Sequence, residues 1–122
     1  MRTISLVAGL LLIFSISLSA NNAPFPGKFK VRTTVENQST LKLSMVNLQL
    51  EKTVVTLHDL SSNESLYKEV IQDHNGYRMA LNLNELPTGR YVLSVKKGDT
   101  HKRQVVNVLS NMILLSQFSD VQ

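Results

Sequence analysis

The 122 residues of this chain suffice for one domain, and the absence of Cys excludes a disulfide framework, so a packed core must hold the fold together. The formal charge at pH 7 is a mild +4, and the chain has three Tyr, four Phe and no Trp. Nucleic-acid-binding proteins usually set a concentrated basic face beside aromatic residues that stack on bases, so this composition argues against a nucleic-acid partner. It still suits an anionic glycan, or the acidic surface of a secretion or cell-surface protein.

The first 20 residues have the features of an export signal. Arg2 supplies a positive charge, and residues 4–18 form an apolar run that ends in small residues. A membrane span needs about 20 apolar residues, so we predict a signal peptide at residues 1–20, cleaved after Ser19 or Ala20. The alternative is an uncleaved signal anchor. Cleavage would leave an exported protein without a stable membrane span, in the periplasm, at the cell surface or outside the cell.

The segment from residue 28 to residue 109 has the pattern of a β-domain. Residues 21–27, with two Pro and a Gly, predict an extended lead-in, after which apolar and polar residues alternate as in strands with one buried face. A turn is expected at residues 37–39. The apolar phase slips near Met45 and Val46, which indicates either a β-bulge or a strand that crosses between sheets.

Two further turns are predicted in the middle of the chain. Residues 59–63 are typical of a hairpin loop, and the charged Lys68 and Glu69 favour an edge position for the strand that follows. Asn75-Gly76 is a strong hairpin signal, and it predicts that this strand pairs with the next one along the chain.

A corner is predicted where the chain contains Pro87 and Gly89. Pro87 suits the second position of a type I turn, Gly89 suits the fourth, and alternating apolar residues from Tyr91 onwards predict a strand. In sandwich domains, a Tyr just after such a corner bonds back to upstream backbone. We therefore assign a structural corner to Leu86, Pro87, Gly89 and Tyr91.

The last strands carry the most basic local feature. Lys96, Lys97, His101, Lys102 and Arg103 surround a predicted turn, and we treat this basic hairpin as a candidate contact for an anion or a partner. The alternative is an ordinary solvated edge, because edge strands commonly carry Lys. Residues 110–122 form an apolar extension, either an extra strand or a short helix on an open edge. Seven or eight short strands with frequent turns predict an immunoglobulin- or fibronectin-like antiparallel β-sandwich.

The sequence resembles two related groups of Bacteroidota proteins. Residues 54–59 and 67–71, together with Leu86-Pro87-Thr88-Gly89-Arg90-Tyr91 and the alternating residues that follow, resemble a family of small exported single-domain β-sandwich proteins of unknown function. They are also similar to the C-terminal sorting domain of the type IX secretion system. The likeness covers residues 54–108. It implies a fold and an exported location, with a sorting domain without its cargo as the alternative function.

No catalytic or metal motif is evident. His58, His74 and His101 each lie near an Asp in the sequence, but at strand ends or turns and without the spacing of metal ligands. No Ser stands in a Gly-x-Ser-x-Gly motif. A hydrolase would need a His that meets both a carboxylate and a Ser. We therefore expect a non-catalytic binding or accessory module without a metal or cofactor.

Overall fold

The computed structural model describes residues 28–121 and the backbone of residues 16–18. Most of the predicted signal peptide, both expected cleavage positions and the predicted lead-in at residues 21–27 lie outside this part of the chain. The regular elements in the described part are all strands, and none of its residues form a helix that could cross a membrane. The strands are β1 (Ile16–Leu18), β2 (Lys30–Glu36), β3 (Thr40–Val46), β4 (Thr53–Asp59), β5 (Ser65–Ile71), β6 (Gly76–Asn82), β7 (Gly89–Lys97), β8 (Thr100–Val108), β9 (Ile113–Leu115) and β10 (Ser119–Asp120).

The strands form two antiparallel sheets, as in a β-sandwich. The first sheet has the order β1-β6-β3-β2, and the second has the order β5-β4-β7-β8, with β9 and β10 both paired to the outer edge of β8. The predicted all-β antiparallel architecture is confirmed. Because β2 and β5 end their sheets, each has an edge that no described strand covers, and β1 covers only Gly76–Arg78 of the outer edge of β6.

Alternation of side chains builds the core between the sheets. The members of this core that are less than 2% exposed are Leu41, Leu43, Met45, Leu48, Val55, Leu57, Leu81, Leu83, Leu93, Val95 and Val106. One buried face was predicted for β7, but both of its faces are buried, because Val92 and Ser94 on the second face are also buried. β7 lies between β4 and β8, so neighbouring side chains cover both of its faces.

The phase slip after β3 arises neither from a β-bulge nor from a strand that crosses between the sheets, the two predicted causes. β3 ends at Val46, and residues 47–52 form an irregular connection to the second sheet rather than a bulge or a continuing strand. Leu48 in this connection is fully buried, whereas Leu50 is 62% exposed. The chain thus fills the end of the core with a loop residue, which shifts the apparent period of the sequence.

The predicted Asn75-Gly76 hairpin is wrong. β5 belongs to the second sheet and β6 to the first, so the segment between them is a crossover. Asn75 instead links the two crossovers, since its carbonyl oxygen accepts the Leu48 N–H at 2.8 Å and its Oδ1 accepts the Gln49 N–H at 2.8 Å. The polar side chain stabilises a loop contact here and not a tight turn.

The C-terminal extension continues the second sheet, which settles the choice between strand and helix. β9 pairs with β8 from Val106 to Val108, and β10 pairs with it at Lys102 and Arg103. Between these ladders three tail residues, 116–118, lie opposite two residues of β8, so the tail carries one extra residue as a bulge. Ser116 maintains the contact, because its N–H donates to Val105 O and its hydroxyl accepts the Val105 N–H.

Candidate functional site

The corner between β6 and β7 carries the chain from the first sheet to the second. Its hydrogen-bonded turn closes between Leu83 and Leu86, at 3.0 Å, three residues earlier than predicted. Asn82 explains this shift, because its Oδ1 accepts the Asn84 N–H at 2.9 Å and so starts the turn as soon as β6 ends. Pro87 follows the turn instead of occupying its second position.

Tyr91 closes the corner. Its side chain is only 3% exposed, and its hydroxyl donates a 2.6 Å hydrogen bond to Pro87 O, the bond to upstream backbone expected from the sequence. Burial, with a smaller effect of the Asp59 charge, raises the pKa of Tyr91. Gly89 has φ of +156°, which disfavours other residues, although a Cβ there would lie 3.9 Å from the Tyr91 ring. Leu86 is buried as well, whereas Pro87 is exposed and contributes its carbonyl oxygen to the corner.

The basic hairpin does not form one surface. Lys97 and Lys102 lie on the same face of the second sheet as the core residue Val95, whereas Lys96, His101 and Arg103 lie on the opposite face. The strand period separates these residues, since neighbours along a strand point to opposite sides. The five residues therefore do not share one face of the second sheet.

On that opposite, solvent-facing side, His101 contacts a Ser. Its Nε2 lies 2.8 Å from Ser94 Oγ, and burial, together with the charges of Lys96 and Arg103, lowers the pKa of His101. In catalytic triads the base is oriented and its charge stabilised by a carboxylate. The charged groups that affect His101 are instead the cations Lys96 and Arg103. The Ser94–His101 pair therefore has the Ser–His hydrogen bond of a catalytic triad but lacks the carboxylate.

The three His side chains lie on different elements. His58 is near the end of β4, His74 lies in the crossover before β6, and His101 lies near the start of β8. The ring of His74 packs at 5.2 Å from that of Tyr77. Among residues 28–121, no three His, Asp or Glu side chains are placed to hold a metal ion.

A groove with a basic lining runs along β2. It consists of three adjoining depressions of about 370, 400 and 540 Å³. The first two share Arg32 and Ser44, and the last two share Phe29 and Lys102, so they follow one another from the outer face of the first sheet to the β7–β8 hairpin. We call this the basic groove. Its Lys and Arg residues are Lys28, Lys30, Arg32, Lys42, Arg78, Lys97 and Lys102.

Cations outnumber carboxylates in the basic groove. Its seven Lys and Arg residues face two lining carboxylates, Asp99 and Asp120. Three of the cations have acidic partners: Lys42 with Glu36, Lys97 with Glu51, and Lys102 with Asp120. The other four, Lys28, Lys30, Arg32 and Arg78, form no ion pair with any described residue. The groove thus holds positive charge that the domain itself does not neutralise.

Apolar side chains line the middle of the basic groove. Val31 comes from β2, Phe29 directly precedes that strand, and Phe118 comes from the tail between β9 and β10. All three pack against the core while remaining partly exposed. The Lys97 ammonium lies 5.4 Å from the centre of the Phe29 ring, a cation–π contact that holds this lysine over the groove.

Most of the basic groove was not predicted from the sequence. Lys30 and Arg32 share one face of β2, and Lys28 precedes the strand in the same alternation, which was visible in the sequence. Arg78 could not be found in this way, because it joins the groove only through the pairing of both Arg32 and Arg78 with Ser44 across β3. Of the predicted basic hairpin, Lys97, His101 and Lys102 line the groove.

No model of a known protein family matches this chain, and no curated protein has a similar sequence.

Proposed function

We propose that this protein is an exported, non-catalytic binding or accessory module that holds an anionic partner in the basic groove. The observation that carries the proposal is the set of four cations that form no ion pair with a described residue, Lys28, Lys30, Arg32 and Arg78, along three adjoining depressions. Guanidinium and ammonium groups without internal partners favour ligands that bring carboxylate, sulfate or phosphate oxygens. The cationic neighbours of His101 support a non-catalytic role.

The proposed fold family is immunoglobulin- or fibronectin-like. Support comes from the strand order, with β6-β3-β2 packed against β5-β4-β7-β8, and from the Tyr91 hydroxyl bonded to Pro87 O after the crossover between sheets. Domains of this class are frequent as binding modules on cell surfaces. The resemblance to the small exported β-sandwich family of Bacteroidota points in the same direction.

Export rests on the residues at the start of the chain. The charged Arg2, the short apolar run and the small residues that end it support a cleaved signal peptide. Expression of the full chain in a Gram-negative host, followed by fractionation and mass measurement, tests this. We expect a periplasmic or secreted protein that begins at Ala20 or Asn21, and a full-length membrane-bound product would refute export by cleavage.

Binding can be tested with charge-reversed variants of equal net charge. We expect the exported protein to bind immobilised polyglutamate and polygalacturonate, and Arg32→Glu with Arg78→Glu to weaken binding about tenfold or more, since two charge-assisted contacts become repulsive. Lys68→Glu with Arg90→Glu is the matched control, because both side chains are exposed on the other sheet. Equal losses in the two double variants would show only an effect of net charge and would contradict the groove as the site.

The sorting-domain alternative has weaker support. In that reading β8, which carries Lys102 and Arg103, should be the last strand of the domain, but β9 and β10 follow it and cover its edge. A secreted reporter fused to the domain separates the two readings, since only a sorting domain would carry the reporter to the cell surface in a type IX secretion host.

A further inference from the structure

The second sheet is wider than the first on the side of the basic groove. Gln104 of β8 bonds to Thr33 of β2 at 2.8 Å, so β8 lies opposite β2. β2 is the last strand of its sheet, whereas β8 is followed by the tail strands β9 and β10. The tail therefore lies opposite a lane that the first sheet leaves unfilled.

The unfilled lane has the chemical character of a strand position. Because β2 is an edge strand, about half of its backbone N–H and C=O groups point away from β3 and into this lane. Phe29 and Val31 lie on the core-facing side of the lane, with Phe118 of the tail nearby, around the depression of about 400 Å³. Lys30 and Arg32 lie on the solvent-facing side and are exposed.

We propose that the β2 edge accepts an extended segment of a partner protein in which apolar residues alternate with Asp or Glu. The added strand would pair with the β2 backbone, place its apolar side chains against Phe29 and Phe118, and set its carboxylates opposite Lys30 and Arg32. This inference rests on the proposed function, because it names the partner that the basic groove would hold. Strand addition of this kind draws its affinity from backbone hydrogen bonds and its specificity from alternate side chains.

Charge favours such a partner over a second copy of the chain. Antiparallel pairing of two copies through residues 29–32 would set cation against cation, since Lys30 and Arg32 share one face. Like charges directly opposite each other on paired strands are destabilising, whereas opposite charges stabilise the pair. The same two residues therefore oppose self-association at this part of the edge and select an acidic strand.

Three nonapeptides test the inference on the exported protein, with binding followed by calorimetry. A peptide of alternating Val and Glu is expected to bind, and a peptide of alternating Val and Lys is expected to bind at least about tenfold more weakly. The third peptide has the Val-Glu sequence with every second backbone nitrogen methylated. This peptide keeps all charges but cannot pair as a strand, so we expect its affinity to be at least about tenfold lower than that of the unmethylated Val-Glu peptide.

The protein variants complete the design. Lys30→Glu with Arg32→Glu should reverse the preference toward the Val-Lys peptide, and Lys68→Glu with Arg90→Glu should leave the preference for Val-Glu unchanged. Hydrogen exchange should slow at β2 amides when the Val-Glu peptide binds, with the amides of β5, another open edge, as an internal reference.

Several outcomes would overturn strand addition. Equal binding of the methylated and unmethylated peptides would reduce the contact to electrostatics, and concentration-dependent dimerisation through β2 would make a second copy the occupant. If polygalacturonate binds the groove and no peptide does, the proposed function stands and this inference fails. If neither polyanions nor peptides bind, both fail.

Discussion

The two long sides of the sandwich join their sheets with polar contacts, but they end differently. On the β5–β6 side, Glu69 accepts hydrogen bonds from the hydroxyls of Tyr67 and Tyr77, the second at 3.1 Å, so one carboxylate ties the two sheets together. On the β2–β8 side, Gln104 Oε1 accepts a hydrogen bond from the Thr33 hydroxyl at 2.8 Å, and Gln104 Nε2 donates one to Ser116 O at 2.7 Å. On the β2–β8 side the second sheet continues beyond the polar link, into the tail and the basic groove.

This difference separates structural polarity from polarity available to a partner. Glu69 lies against two phenols, and burial followed by the Glu69 contact raises the pKa of Tyr67 well above its usual value. The Glu69 carboxylate on that side therefore binds groups of the domain itself. Beside Gln104, by contrast, Lys30 and Arg32 have no described acidic partner, so their charge is available to a ligand.

The largest effect is expected from breaking the link on the β2–β8 side. Gln104 is only 5% exposed, so Gln104→Ala removes its bonds to Thr33 and Ser116 and leaves a cavity. We expect a loss of about 3 kcal/mol in the free energy of unfolding, measured by urea denaturation. Thr33→Val keeps the shape and removes one bond, so it should cost about 1 kcal/mol. A loss below that for Gln104→Ala would show that this link is not structural.

Breaking the opposite side should cost less. Glu69→Ala leaves the Tyr67 and Tyr77 hydroxyls without this acceptor, but Glu69 and Tyr67 are partly exposed and water can replace part of the contact. We expect about 2 kcal/mol by the same denaturation measurement, and about 1 kcal/mol for Tyr67→Phe. If Glu69→Ala proved more damaging than Gln104→Ala, the ranking of the two sides would be reversed.

The smallest effect concerns pH. Burial, Lys96 and Arg103 lower the pKa of His101 below its ordinary 6.5, so the unfolded chain binds this proton more readily than the folded one. The corresponding stability is present above pH 6.5 and is lost as the pH falls through that value toward the lowered folded pKa.

We therefore expect the midpoint temperature of thermal unfolding to decrease as the pH is lowered from 7.5 to 5.5. The variant His101→Gln should show a weaker pH dependence of this midpoint. His58 has a pKa lowered by burial and by Arg103, so it should leave a residual slope of the same sign. A steeper dependence in His101→Gln would contradict the assignment.

Local pattern predicted most of the strands, because burial of one face imposes a two-residue period. It failed where a contact is set by the other sheet. Asn75-Gly76 has the chemistry of a hairpin, yet its flanking strands pair with β4 and β3, and no local signal records this choice. The phase slip after β3 was misinterpreted for a related reason, since Leu48 is a loop residue that fills the core.

The candidate site was predicted only in part. The basic hairpin was evident as a run of charges, but its residues divide between two faces once Val95 and Lys102 are seen as cross-strand neighbours. Arg32 and Arg78 are 46 positions apart in the sequence and become neighbours of Ser44 through β3. Only pairing between distant strands could have shown this cluster.

The tail also has a consequence for proteolysis. Residues 109–112, which join β8 to β9, include exposed apolar side chains at Leu109 and Met112 and lie where a protease could reach them. A cut there would free the segment that covers β8 and uncover a nine-residue strand. The trimmed domain would then present an unprotected edge on its wider sheet, and such edges are starting points for aggregation into stacked strands.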